Sequence, residues 1–561
     1  MDKPSISFLK LPRALKRWEK RLVIILLIVA ALAVGTWLYL RYLETTEVVP
    51  EIGGTYIEGV LGQPKLINPI IAQPNTADAD LVDLMYSPLF HFDQDNNIVP
   101  DLADSYEISD DAKQVTIKLK QNIQWQDGEP FNADDVVFTI ESIQNPNLQS
   151  PLKSIFDNVI VEKVDDYTVA LNLEEPYIPL VSSLTFGIIP KHLWEQVDPA
   201  NIPLAELNMQ PVGTGPYRFK EFKKDKLGEI ISYTLERSDN YYANEPYIEE
   251  ITFFFYPVKE DLVDALAVGE IDGLSYDSEI GEAVEFTEGL NRYVFRLPRY
   301  NAVFINYERN ESLEFKKVRE ALQQSINWEE FQQVLPPDST LIAAPILEDF
   351  VGYDQELIRA EFNFDAAHNL LHEAGWDEID EEGFRKKDDQ RLAFKLLVSD
   401  YPEHQAVANF LVEAWKKLGV EVEWESLSPA DIQTRIRARD YDAVLFGQVT
   451  EHDPDPFPFW HSSQREDPGL NLTALKDKDI DALLEEGRQV TDETARADKY
   501  KAFQQKLLDD NVAIFLYSPR YHYAASENIQ GIDTGVIITP AERFTNVSDW
   551  YIKTKRIPKE Q

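Results

Sequence analysis

Leu22 to Leu40 is a run of nineteen residues without a charge, LVIILLIVAALAVGTWLYL, and it divides the chain before any other feature is weighed. As a helix it reaches roughly 28 Å, close to the ~30 Å hydrocarbon thickness of a bilayer. Lys3, Lys10, Arg13, Lys16, Arg17, Lys20 and Arg21 precede it against Asp2 and Glu19, whereas Arg41 is followed by Glu44, Glu47 and Glu51. The positive-inside bias makes residues 1–21 a cytoplasmic basic tail, 22–40 a transmembrane signal anchor, and everything after Arg41 exterior. The expected location is the cell membrane, single-pass, with the main part extracellular or periplasmic. Ala31-Leu32-Ala33 resembles a signal-peptide cleavage site, but the apolar run continues seven residues beyond it, which favours an uncleaved anchor.

The exterior part is too long for one core, since single cores stop growing near ~250 to 300 residues and the chain has 561. With 54 Lys+Arg against 98 Asp+Glu, a formal charge of -44, it repels phosphate backbones, so no nucleic-acid partner is expected. No cysteine is present, which excludes disulfides, thiolate metal sites, thiol nucleophiles and acylated cysteine anchors. Residues 41–54, with Pro50, Gly53 and Gly54, read as a linker. Beyond it, alternation at Val115–Leu119, the turn Asp127-Gly128 and a helix capped by Asn132 indicate a mixed α+β layer. Gly213 and Gly215 are not a phosphate loop: Pro216 has no N–H to donate, Arg218 stands where a third glycine would be, and no Gly-Lys-Ser/Thr occurs.

The most legible stretch begins with a strand at Arg391–Ser399. A helix follows, carrying Val407, Phe410, Leu411, Ala414, Trp415 and Leu418 on one face, and stops at Gly419. Val420, Val422 and Trp424 alternate as a strand, a helix is expected over Asp431–Arg439, and Tyr441–Phe446 reads as a buried strand. That is βαβαβ, a parallel sheet whose ligands bind outside the carboxyl ends of its strands. The residues at that end are 447–456, where Glu451, Asp453 and Asp455 form an acidic group. Such a group suits a cationic ligand such as an amine; a solvated acidic turn and a glycosidase carboxylate pair are the alternatives. Asp93–Asn97 imitates a calcium loop, but Ile98 occupies the position that needs glycine, so a hairpin turn is expected. His368 and His372 lack the HExxH pattern and no G-x-S-x-G elbow occurs. Neither an enzyme, a metal nor a cofactor is expected.

Three ordered segments carry a family resemblance: Ile98–Tyr106 (IVPDLADSY), Trp125–Val136 (WQDGEPFNADDV) and Val212–Tyr217 (VGTGPY). Gly269–Asp272, Val318–Leu322 and Asp365–Trp376 continue it, and together they resemble the extracytoplasmic solute-binding proteins of peptide ABC transporters, the oligopeptide-, dipeptide- and nickel-binding family 5. The resemblance implies an α/β, two-lobed periplasmic-binding-protein fold of class II with three subdomains, here preceded by one N-terminal transmembrane helix. The expected lobe I core is 55–85 plus 203–297 plus 520–561, its extra subdomain 86–202, and lobe II 298–519. Implied partners are a peptide ligand, ABC permease subunits with their ATPases, and the membrane, for a monomer. Alternatives are a nickel chelate or oligosaccharide in the same fold, an exterior hydrolase, or a sensory ectodomain. In peptide-binding members a Gly-Trp-x-x-Asp segment pairs with ligand backbone and its Asp receives the ligand's α-amino group. The matching positions are Gly447, Gln448, Val449, Thr450 and Glu451, with Gln448 in place of the aromatic and Glu451 longer than Asp by a methylene; Asp453 is the neighbouring acceptor. The opposing ligand-pairing strand is expected near Ala72–Thr76.

Overall fold

The computed structural model describes residues 16–71 and 75–559. Most of the basic tail, and positions 72–74 of the expected ligand-pairing strand, lie outside the described residues; from Thr76 the chain is helical, Thr76–Met85, capped by Asn75.

The apolar run lies inside a longer helix, Arg17–Thr45, none of whose side chains is buried. Among the described residues it is the one helix long and apolar enough to cross a membrane. No breaker stands between Leu40 and Thr45, so the helix continues past the apolar run. It ends where Arg556 supplies donors to the orphan carbonyls: the guanidinium bonds Leu43 O (3.3 Å), Thr46 O (3.2 Å) and Thr46 Oγ1 (2.9 Å). Much of the segment 41–54, read as a linker, is thus regular structure, its first residues closing the helix. After the helix, Thr46–Glu51 is a strand paired antiparallel with Lys553–Pro558, in register from Thr46↔Pro558 to Glu51↔Lys553. The ribbon has two strands only, so Pro50 leaves no interior ladder bond unmade.

The main body is an α/β, two-lobed fold. A seven-stranded mixed sheet is ordered Leu290–Arg296, Arg520–Ser526, Gly273–Tyr276, Thr55–Leu61, Glu250–Tyr256, Ile230–Arg237, Tyr217–Lys224. Its core is continuous with that under a four-stranded antiparallel sheet (Ala103–Ile108, Gln114–Leu119, Thr168–Leu173, Val159–Asp165) and the helix Ala133–Gln144. Asn132 caps that helix, and Asp135 closes a capping box. The turn 212–217 explains its two glycines: a Cβ on Gly213 would lie 1.8 Å from Met85 O, and one on Gly215 2.6 Å from Leu84 O. Only a residue without a side chain lets the two backbones meet this closely.

The second lobe is a six-stranded sheet ordered Thr340–Leu341, Ala513–Ser518, Arg299–Ile305, Ala443–Val449, Ala393–Ser399, Glu421–Leu427, with an apolar core on each face. The βαβαβ unit is present. Ala393–Ser399 lies between Glu421–Leu427 and Ala443–Val449 and runs parallel to both. Helix Pro402–Lys417 stops before Gly419, whose φ is +89°. Helix Pro429–Arg437 opens on Ser428, and the last strand runs on to Val449, beyond the Phe446 expected. The chain crosses between the seven- and six-stranded sheets at Leu297-Pro298 and at Pro519, side by side, with Ser518 Oγ donating to Leu297 O at 3.4 Å.

Asp93–Asn97 is the turn of a hairpin between Phe90–Phe92 and Ile98–Pro100. Asp93 Oδ1 accepts from the amides of Asp95 and Asn97, and Asn96 is left-handed with φ +63°.

Candidate functional site

Strand Ala443–Val449 presents an unpaired edge. Thr450 N–H donates to Pro298 O (2.7 Å) and Asn306 N–H to Asp442 O (2.9 Å) at the two ends of its ladder with Arg299–Ile305. Hydrogen-bonded pairs thus fall on even positions, and antiparallel alternation turns the backbone groups of Leu445, Gly447 and Val449 to the opposite side. There the parallel neighbour pairs only with Ala443 and Val444. Beyond Val444, odd-numbered amides face an opening in which an extended chain can add as a strand.

Gln448 does not serve this edge. It is 4% exposed, its side chain accepts from Tyr300 Oη and donates to Leu470 O (3.3 Å), and its backbone belongs to the even, paired set. Alternation puts its side chain on the face opposite Gly447 and Val449, beside Tyr300, so the structure places this expected ligand contact away from the open edge.

The acidic loop is split in use. Asp453 receives both arms of Arg496, Nη1 at 2.6 Å and Nη2 at 2.5 Å. Burial pushes its carboxyl up while this guanidinium pulls it back. Asp455 is held the same way by Arg488, at 2.9 Å from Nε and 2.5 Å from Nη2, and Arg488 stacks on Phe457 at 3.8 Å. Asp453, expected beside Glu451 as a ligand acceptor, is placed in an ion pair, and both carboxylates pin the loop to the helices Lys478–Gln489 and Glu493–Asp510. Glu451 remains exposed to solvent and has no such clamp. It nevertheless sits among enough protein that desolvation, with Glu542 nearby, raises its carboxyl above the usual range, against a smaller pull from His452.

From the loop, His452 reaches residues of the other lobe. His452, 8% exposed, stacks on Phe92 (3.8 Å between centroids, 19°), shares Nδ1 with Asn96 Oδ1 (2.6 Å) and Nε2 with Glu542 (3.2 Å). The hairpin that imitated a calcium loop is one half of this contact between lobes. Asp83 stands nearby with its carboxyl well above the usual range, through burial and then repulsion from Glu542 and Asp80. Beneath it Arg543 joins Asp80 and Glu58 in a buried ion network. A separate cavity of about 150 Å³ lies by the crossing, lined in part by Arg296, Asp349, Arg359 and Arg520; it does not include Gly447 or Glu451.

Comparison with known proteins bears on this arrangement. Residues 97–469 match the family model described as bacterial extracellular solute-binding proteins, family 5 middle. The oligopeptide-binding protein AppA of Bacillus subtilis (strain 168) is 29% identical over 519 residues, covering 90% of this chain and 92% of the relative. The solved structure of AppA from Bacillus subtilis in complex with a nonapeptide superposes with a TM-score of 0.70 at 27% identity, covering 90% of this chain and 100% of that one. NikZ from Campylobacter jejuni in complex with Ni(L-His) gives 0.70 at 26% identity over 89% and 99% of the two chains.

Proposed function

The chain belongs to the bacterial extracellular solute-binding proteins of family 5, and on that premise we propose that it is a membrane-anchored receptor that captures peptides between its lobes. Proteins of this family are substrate-binding components, and delivery of solute to an ABC importer is the function the relatives support. The finer reading concerns ligand and tether. An extended peptide adds to the open edge at Gly447 and Val449, main chain to main chain, and its α-ammonium meets Glu451. The observation that carries this is the unpaired edge ending beside one unclamped carboxylate. The likenesses to the nonapeptide complex and to the Ni(L-His) complex are equal at a TM-score of 0.70, so it is the open edge that favours peptide over chelate as cargo.

The lobes in this reading are 55–85, 203–297 and 520–561 with the extra subdomain 86–202 on one side, and 298–519 on the other, hinged at Pro298 and Pro519. Helix Arg17–Thr45 tethers the monomer in single-pass fashion, with the lobes extracellular or periplasmic, and the partner is a permease with its ATPases. Native mass spectrometry of the full chain released from detergent tests the cargo. A ladder of co-purified peptides is expected; a single non-peptide mass, or a metal chelate, sinks the reading.

A further inference from the structure

The helix Arg17–Thr45 passes into the two-stranded ribbon without slack. Thr46 caps the helix and begins the strand, and from the opposite strand Lys559 N–H donates to Thr45 O at 2.9 Å. Leu40 ends the apolar run, and the helix goes on for five residues to Thr45, about 8 Å. A bilayer carries roughly 5 to 8 Å of headgroups on each side of its hydrocarbon. With Leu40 at the hydrocarbon edge, the ribbon therefore starts where the headgroups end.

In a chain of formal charge -44 the ribbon is basic. Lys553, Lys555, Arg556 and Lys559 are four cations within seven residues, with no acid among them, and Arg41 on the helix is a fifth. Arg556 is taken up by the carbonyls at the helix end and lies 5.7 Å from the centre of the Tyr42 ring. Arg41, Lys553, Lys555 and Lys559 are exposed, and among the described residues none of them makes an ion pair. Glu51 and Glu47 share the lysine face, opposite Lys553 and Ile557, and with Glu44 they make three carboxylates against the five cations. Trp37, Tyr39 and Tyr42 are exposed just below, in the belt where such rings sit among headgroups.

The route by which the lysines arrive is a second, independent observation. Lys and Arg within roughly 15 to 20 residues after a transmembrane helix work against its orientation, because positive flanks are held inside. The helix's own exterior flank follows Arg41 with Glu44, Glu47 and Glu51. The lysines come instead from the far end of the chain, where Arg556 and Thr46 are 510 positions apart, and reach the flank only when Lys553–Pro558 pairs with Thr46–Glu51. Since the anchor is synthesised first and this strand last, the surface gains its positive charge after the orientation is set.

We propose that the ribbon docks on anionic phospholipids of the outer leaflet, with Arg41, Lys553, Lys555 and Lys559 on their phosphates. The proposal rests on the membrane-anchored reading above and adds a partner surface to it. The acidic lobes are repelled by the same headgroups, so the ribbon is the part that lies on the lipid while the lobes stand clear.

Full-length protein in nanodiscs tests this. The chain has no cysteine, so Thr554→Cys on the ribbon carries a single fluorophore. Discs of phosphatidylcholine, with or without phosphatidylglycerol, carry the same trace of a lipid with a quencher on its headgroup. The quenching constant should be roughly five-fold or more higher in the anionic discs, the effect of one cation near such a surface. Salt near 1 M, where the screening length is about 3 Å, should abolish the excess. Lys553→Gln, Lys555→Gln and Lys559→Gln combined should bring it close to the phosphatidylcholine value; if that variant does not fold, the salt arm decides. Equal quenching in the two discs, or an excess that survives either salt or the folded triple variant, overturns the docking and leaves the anchor standing. A chain that does not stay with the disc removes both.

Discussion

Arg496 grips both oxygens of Asp453 while Glu451, two residues earlier on the same loop, is gripped by nothing of the kind. Replacing the two carboxylates should therefore have unlike results. Glu451→Gln should weaken binding of a free-amine peptide by about 10- to 150-fold, the loss of roughly 1.5 to 3 kcal/mol for a charge-assisted hydrogen bond. N-acetylated peptide should bind wild type poorly and lose little more in the variant. Asp453→Asn should instead strip a buried ion pair, worth roughly 3 kcal/mol or more of stability, and show first as a lower Tm. Equal binding losses from both, with no change in Tm, would refute this division.

Acidification should reveal the same residue. Glu451 must be ionised to receive an ammonium, and its carboxyl is raised by desolvation. Affinity for free-amine peptide should therefore begin to fall at a pH above the ordinary glutamate range of about 4.3. Titration calorimetry at a series of pH values should show that slope in wild type and a flat line in Glu451→Gln.

His452 holds the lobes together from the loop side, so His452→Ala should open the cleft. Stacking on Phe92 and two hydrogen bonds amount to roughly 1 to 2 kcal/mol, enough to shift an open–closed equilibrium about 5- to 30-fold. Small-angle scattering of the ligand-free variant should give a larger radius of gyration than wild type. An unchanged curve would mean that the contact does not set the equilibrium.

Asp83 should destabilise the protein at neutral pH. Its folded carboxyl lies well above the unfolded value of about 3.9, so the folded state binds the proton more tightly. The stabilising effect of protonation is whole below that unfolded value and is lost as pH rises through the folded one. Asp83→Asn, which mimics the protonated acid, should raise Tm by roughly 1 to 4 °C at pH 7 to 8 and have little effect near pH 4. Thermal melts across that range decide it; a lower Tm for the variant at pH 8 would contradict the sign.

What the sequence could convey was local. The βαβαβ rhythm, the Asn132 cap, the 212–217 turn and the hairpin at Asp93–Asn97 depend on neighbours a few residues away, and each is legible for that reason. The use of the acidic loop was not, because Arg488 and Arg496 lie 33 and 43 residues downstream of the carboxylates they hold. The strand Thr46–Glu51 was hidden further still, its partner being the last strand described.

The ribbon between Thr46–Glu51 and Lys553–Pro558 turns the helix Arg17–Thr45 into a lever. Because the helix runs into a strand that is laced to the far terminus, a twist or tilt of Arg17–Thr45 is delivered to the body through both ends of the chain instead of dissipating in a swivel. In a bilayer, such a mount would leave the lobes few ways to turn relative to the lipid plane. Their search for a permease would then reduce to lateral drift and rotation about one axis. Arg556 is the bolt at that joint, and Arg556→Ala should be read as restored swivel: faster protease cutting between residues 45 and 54, with peptide affinity unaltered.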